Sequence, residues 1–205
     1  MGNNLVALLK AGLGLSMLCI AAEVISAGVY RSVQTDEKIE TLRNAVEEVA
    51  ALSGEPNSVS AGGIASEQTP LLTIENQSAY ETSSRRRLVI VAGLDGDLES
   101  ANIALDALRW FKTSPSDQFR QEWDVSVMPL ANPDNNAVGM FPPFDGFFND
   151  PERPELRYVW RWVAYQAPDL VVELRTGSEF RIEDLSEPGT LTAALADPGT
   201  RNGLG

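Results

Sequence analysis

The sequence predicts an α/β domain in which helices cover both faces of a sheet. Two observations point to that class. Strand-length apolar runs recur at residues 87–92, 123–130 and 170–174, and amphipathic stripes of helical period stand between them, at residues 97–112 and in a helix that reaches about Gln166. The order strand, helix, strand, long loop, helix, strand is the pattern of a layered fold.

The elements follow from the residues in order. Residues 1–10 carry one positive charge, residues 11–22 are an uncharged apolar run, and Glu23-Val24-Ile25-Ser26-Ala27 follows, which is the layout of a signal peptide. The run is shorter than the roughly 20 apolar residues of an ordinary membrane span, and Ile25 stands where cleavage after Ala27 prefers a small residue. Residues 1–30 are therefore read as a signal peptide or membrane anchor, with a helix packed on the domain as the alternative. The protein is expected to be exported or membrane-anchored, and otherwise cytoplasmic. Cys19, the single cysteine, cannot make an internal disulfide and lacks the small residues expected before a lipid-modified cysteine.

Within residues 31–52, Ile39, Leu42, Val46 and Val49 recur at three- and four-residue spacing with acidic residues opposite, which predicts an amphipathic helix over 36–52. Its apolar stripe packs on its own domain, an adjoining anchor or a partner helix. Residues 53–70, with Gly54, Pro56, Gly62, Gly63 and several serines, have the composition of a flexible linker and set the domain boundary. The α/β domain then spans 71–205. Residues 71–74 are a short edge strand. Residues 87–92 form a strand buried on both faces, with Arg85, Arg86 and Arg87 at its solvent end. Leu98, Ala101, Leu105 and Leu108 share one stripe of the next helix, whose first turn holds Asp97 and Glu99 where the helix dipole favours anions. Asn132-Pro133-Asp134 closes the following strand with turn chemistry. Asp150-Pro151 or Arg153-Pro154 opens the last helix, with Leu156, Val159, Trp160 and Val163 facing inward.

Composition removes several functions. A net charge of -13 repels nucleic acid and anionic lipid, so no nucleic-acid partner is expected. The sequence contains no histidine, which excludes a Ser-His-Asp triad and His-ligated zinc within the chain.

Three segments in order carry a family resemblance. Val89-Ile90-Val91-Ala92-Gly93-Leu94-Asp95-Gly96-Asp97-Leu98 is similar to a strand followed by a His-Gly-x-Glu loop. Pro129-Leu130-Ala131-Asn132-Pro133-Asp134 is similar to an Asn-Pro-Asp-Gly turn, and residues 168–177 resemble a strand ending in a third ligand, a histidine. Together they resemble the zinc carboxypeptidase superfamily, which includes the succinylglutamate desuccinylase and aspartoacylase branch. The resemblance implies a three-layer αβα fold with a mixed, mostly parallel sheet, and a zinc cofactor. At the ligand positions, however, Asp95 stands for the first histidine, Leu98 for the glutamate and Arg175 for the second histidine. The family's Asn-Arg clamp on a substrate carboxylate is replaced by Val138 and Gly139. Its general-base glutamate lies well downstream of the third ligand, which leaves open that a chain stopping at Gly205 is an incomplete piece of a longer protein.

Several residues have a chemical and a structural reading. Asp95, Asp97 and Glu99 suit a hard cation such as Mg²⁺ or Ca²⁺, or else cap the helix they precede. Glu173 and Arg175 share a strand face, and Arg175 is placed to reach Asp95, an ion pair that would fill the vacated metal site and satisfy itself or hold an anionic ligand. Phe141, Phe144, Phe147 and Phe148 make an aromatic loop that lines a binding surface or plugs the old cleft. Tyr158, Trp162 and Tyr165 form a second stripe on the last helix, for packing or for an interface. The expected function is a non-catalytic binding or scaffolding module with no cofactor, whose partner is a small molecule, peptide or protein. The alternative is a metallocarboxypeptidase-like or N-acyl amino acid deacylase-like hydrolase with a carboxylate-based site.

Overall fold

Side-chain alternation along the strands divides the core into two apolar layers, one on each face of the sheet. The structure is a computed structural model that describes residues 37–54, 56–77, 85–135 and 153–177. In β3 (Arg86–Ala92), Ile90 and Ala92 pack on one face and Val89 and Val91 on the other, and in β4 (Trp123–Met128) Val125 and Val127 oppose Met128. Helix α1 (residues 37–51) covers the first face through Ile39, Leu42, Val46 and Val49, beside α2 (Leu98–Thr113) with Ala101, Ala104, Leu105, Leu108 and Phe111. Helix α4 (Pro154–Gln166) covers the second with Leu156, Val159, Trp160, Trp162 and Val163. The result is the three-layer αβα arrangement expected from the sequence. Of the two predicted starts of α4, the described one is Arg153-Pro154, with proline in the first turn.

The sheet order is β1-β2-β4-β3-β5. Strand β3 runs parallel to β4 and to β5 (Leu170–Leu174), while β2 (Pro70–Asn76) is antiparallel to both β4 and β1 (Asn57–Ile64). Among the described residues the sheet is mixed, with two parallel and two antiparallel ladders. The three-strand parallel part β4-β3-β5 is the expected one, and the β1–β2 hairpin adds the antiparallel part on one side.

Two expectations about that hairpin are corrected. Residues 53–70, read as a flexible linker, contain β1 and its turn. Residues 71–74, read as an edge strand, lie inside β2, which has neighbours on both sides. The glycines that gave the linker composition serve close approach instead. A Cβ at Gly63 would stand 2.3 Å from Cβ of Tyr158 on α4, and one at Gly62 would stand 2.8 Å from Cε of Met128. The ladder shifts register between Ala61 and Gly63, a β-bulge in β1. Helix α1 likewise belongs to the same core as the sheet, so no boundary falls at 53–70.

Polar side chains tie the layers where apolar ones cannot. Buried Lys112 on α2 donates from Nζ to the Ala50 carbonyl at the end of α1 (2.7 Å). Arg85 pairs with buried Asp124 at 3.1 Å, at the entrance of β4. Helix α3 (Asp117–Glu122), a short element capped by Ser116, leads directly into β4 and has no counterpart among the expected elements. Residues 1–36 lie outside the described residues, among which no helix is long and apolar enough to cross a membrane. A first compact unit runs to Arg175, and a second is Thr176–Gly205, of which only Thr176 and Gly177 are described.

Candidate functional site

The parallel strands β4, β3 and β5 are neighbours, so their C-terminal ends emerge side by side, the usual ligand end of an open α/β sheet. Asp95, Asn132 and Arg175 follow those three ends. The turn after β3 is built on two glycines in the left-handed region, Gly93 (φ 63°) and Gly96 (φ 74°), and closed by a bond from Gly96 N to Gly93 O of 3.1 Å. Neither tolerates a side chain: a Cβ at Gly93 would lie 2.6 Å from Leu130 Cδ1, and one at Gly96 would lie 2.8 Å from Asn135 Oδ1.

The Asn-Pro-Asp turn is the brace behind this loop. Fully buried Asn132 donates from Nδ2 to the Leu94 carbonyl (2.9 Å), and its own backbone N–H donates to Gly93 O (3.0 Å). Asp134 reaches the other way. Its Oδ2 accepts from Glu67 N at 2.7 Å and its Oδ1 from Thr69 Oγ1 at 2.9 Å, which anchors the β1–β2 turn. Both side chains serve scaffold geometry.

The acidic residues of the turn serve the helix. Asp97 is the N-cap of α2, its Oδ2 accepting from Glu99 N (3.1 Å) and Ser100 N (3.4 Å). Asp95 is exposed and accepts at Oδ1 from Asp97 N (3.3 Å). Glu99, also exposed, lies in the first turn of α2. Leu98 is half-buried and packs against the apolar layer shared by α1 and α2. Among the described residues no three His, Cys, Asp or Glu side chains form a group that could hold a metal ion, so these carboxylates do not converge as a hard-cation loop would require.

Just past the end of β5, Arg175 donates from Nε to Glu173 Oε1, two residues back in the chain. The anticipated partner was Asp95. The local carboxylate needs no inter-strand reach and takes the guanidinium, while Asp95 engages its own turn. Phe141, Phe144, Phe147 and Phe148, with Val138 and Gly139, lie outside the described residues.

The cation that does meet the turn is Lys38, on α1. Its Nζ donates to Gly96 O at 2.5 Å. Burial pushes its pKa below the ordinary 10.5, against the opposing pull of Asp97 and Asp95. Nothing in the sequence signalled this contact, since Lys38 neighbours the apolar stripe of a helix 58 residues from its acceptor.

No family model matches the sequence, and no curated protein matches it significantly. Solved structures do match. A metallo-carboxypeptidase from Burkholderia cenocepacia aligns with a TM-score of 0.50 at 17% identity, covering 63% of this chain and 38% of that one. The fold is that of the zinc carboxypeptidases. A candidate carboxypeptidase A from Shewanella denitrificans aligns equally well, with a TM-score of 0.50 at 17% identity over 63% of this chain and 37% of that one. The chain thus spans well under half the length of either structure. Identity this low carries the carboxypeptidase-like fold alone, and the chemistry has to be argued from this chain's side chains.

Those side chains do not fit a carboxypeptidase zinc. A catalytic zinc needs about three N, O or S donors at roughly 2 Å. Leu98 offers no donor, Arg175 is a permanent cation already engaged by Glu173, and neighbouring Asp97 is turned onto the amides of α2. Such a set supports no step through a zinc ion.

Proposed function

We propose that this chain is a non-catalytic carboxypeptidase-like module that binds or scaffolds, with a small molecule, peptide or protein as its partner. One observation carries the proposal. Each position that the resemblance assigns to a zinc ligand serves the fold: Asp95 braces its turn, Leu98 packs, and Arg175 closes on Glu173. The charge of -13 disfavours a nucleic-acid partner. The proposed setting is outside the cytoplasmic membrane, exported or anchored through residues 1–30, on the strength of the apolar run at 11–22.

Metal analysis of the purified full chain after equilibration with zinc tests this, together with hydrolysis assays on peptides and N-acyl amino acids. The expected result is no stoichiometric zinc and no turnover above the uncatalysed rate. Stoichiometric zinc with turnover overturns the proposal.

A second reading, a hydrolase with a carboxylate-based site drawn from Asp95, Asp97, Glu99 and Glu173, has one observation in its favour. Half-buried Lys38 sits beside Asp95 and Asp97, so an amine of lowered pKa adjoins two carboxylates. On that reading Asp95→Asn and Lys38→Met each abolish a measurable hydrolysis; a turnover that survives both removes it.

A further inference from the structure

Helices α2 and α3 share an apolar surface that the core does not use. No residue of α3 is buried, and its one apolar side chain, Phe119, holds it to α2 by edge contacts: the ring centroid lies 6.5 Å from that of Trp110 and 6.4 Å from that of Phe111. Phe111 is buried, but Trp110 and Phe119 remain 46% and 42% exposed. Ile103, two turns before Trp110 and so on the same face of α2, is 51% exposed, and half-buried Ala107 stands between them. Among the described residues, three of the six large hydrophobic side chains that stand exposed thus belong to one surface. Scattered apolar residues need no explanation, whereas a joined group marks an interaction site.

The charge around these side chains is uneven. Arg109 is shared between Asp106 (3.0 Å) and Glu48 of α1 (2.9 Å), and Arg120 pairs with Asp117. Both arginines are half-buried while all three carboxylates are exposed, so the charge turned outward is negative. Asp106 stands one turn before Trp110, between it and Ile103 on the same face. The net charge of -13 adds a long-range field of the same sign.

We infer that the α2–α3 surface docks a basic amphipathic helix of a partner protein. Ile103 and Trp110 are separated by about 10 Å of helical rise, the distance between anchors at i and i+7 on a partner helix. Apolar anchors of the partner meet Ile103 at one end and Trp110 with Phe119 at the other, while its lysine or arginine side chains meet Asp106, Glu48 and Asp117. A second copy of this chain would set like charge against like, and anionic lipid would meet the same repulsion. The surface uses no residue of the β3–α2 turn, so metal or turnover found at that turn would leave it unaffected.

The test is a titration of the full chain into a fluorescein-labelled model helix of about 18 residues, built from leucine and lysine with the leucines at helical spacing. Anisotropy should rise saturably. The same composition scrambled to break the apolar stripe should bind at least about tenfold more weakly, and a leucine and glutamate helix not at all. Trp110→Ala should weaken the leucine and lysine helix by about tenfold or more, and Ile103→Ala by about threefold. Asp106→Asn should also cost about threefold, a loss that disappears at 1 M salt. If Trp110→Ala fails to give a folded circular dichroism spectrum, the exposed positions Ile103→Ala and Asp106→Asn decide the matter. Equal affinity for the scrambled peptide overturns the proposal, as does an affinity indifferent to both apolar substitutions. So does a dimer of the full chain by light scattering that Ile103→Ala dissolves, which gives the surface to a second copy. Binding to phosphatidylcholine vesicles that Ile103→Ala abolishes overturns it too, in favour of a lipid surface.

Discussion

Asp97 is where a capping role and a ligand role make opposite forecasts. As the N-cap of α2 it supplies one acceptor to two amides that have no partner within the helix. Removing an Asp cap to Ala costs about 1 kcal/mol, in a range of roughly 0.5–2. Loss of the negative charge at the positive end of the helix adds about 0.3–1 kcal/mol. Asp97→Ala is therefore expected to lose about 1–2 kcal/mol in all. Asp97→Ser keeps the acceptor and forgoes only the charge, so its loss should stay within about 0.3–1 kcal/mol. Urea denaturation of the two variants separates these figures. With a slope of about 1–3 kcal/mol/M for a chain this small, Asp97→Ala should move the midpoint down by roughly 0.5–1 M, and Asp97→Ser by less than half as much, the slope being unchanged. Equal losses for Ser and Ala would refute the capping account, and so would an Asp97→Ala variant as stable as the parent.

Three further outcomes follow from the same region. Asn132→Ala withdraws the donor from the buried Leu94 carbonyl and should cost about 1–3 kcal/mol by thermal or urea unfolding, whereas a neutral result would mean the brace is dispensable. Gly96→Ala forces a side chain into φ 74° against Asn135 and should destabilise by at least about 1–2 kcal/mol, measured the same way. The third concerns pH. Burial lowers the Lys38 pKa beneath 10.5, so just below that pH the unfolded chain binds more protons than the folded one, and stability gains from Lys38 as pH rises through the window. Parent minus Lys38→Met stability should therefore grow in the parent's favour from neutral pH toward 10.5, and a flat difference would contradict it.

What the sequence reveals depends on how local the cause is. Strands β3, β4 and β5 and helices α1, α2 and α4 were legible because each encodes its own burial, as a continuous apolar run or a stripe of helical period. Strand β1 was not. Gly62 and Gly63 are linker residues by composition, and their reason for being small is the approach of Trp162 and Tyr158 from nearly 100 positions further along the chain. The interior place of β2 was hidden for a related reason, since strand order is set by which faces pack, not by the strand's own residues. At the candidate site, the Asn-Pro-Asp turn was legible as a turn but not as a brace. Arg175 had two carboxylates to choose between, and the pattern of alternation that put it beside Glu173 was the better guide than the resemblance that pointed to Asp95.

The irregularity between Ala61 and Gly63 also matters at the margin of the sheet. Among the described residues β1 ends one side of the sheet, with half-exposed Val59 and Ile64 along it, and a straight strand in that place would offer its backbone groups to another molecule. An extra residue that twists the strand and breaks its hydrogen-bond rhythm makes such recruitment unfavourable. Deleting Gly62 would restore the rhythm, and the foreseeable cost is a protein that self-associates into aggregates at concentrations where the parent stays dispersed.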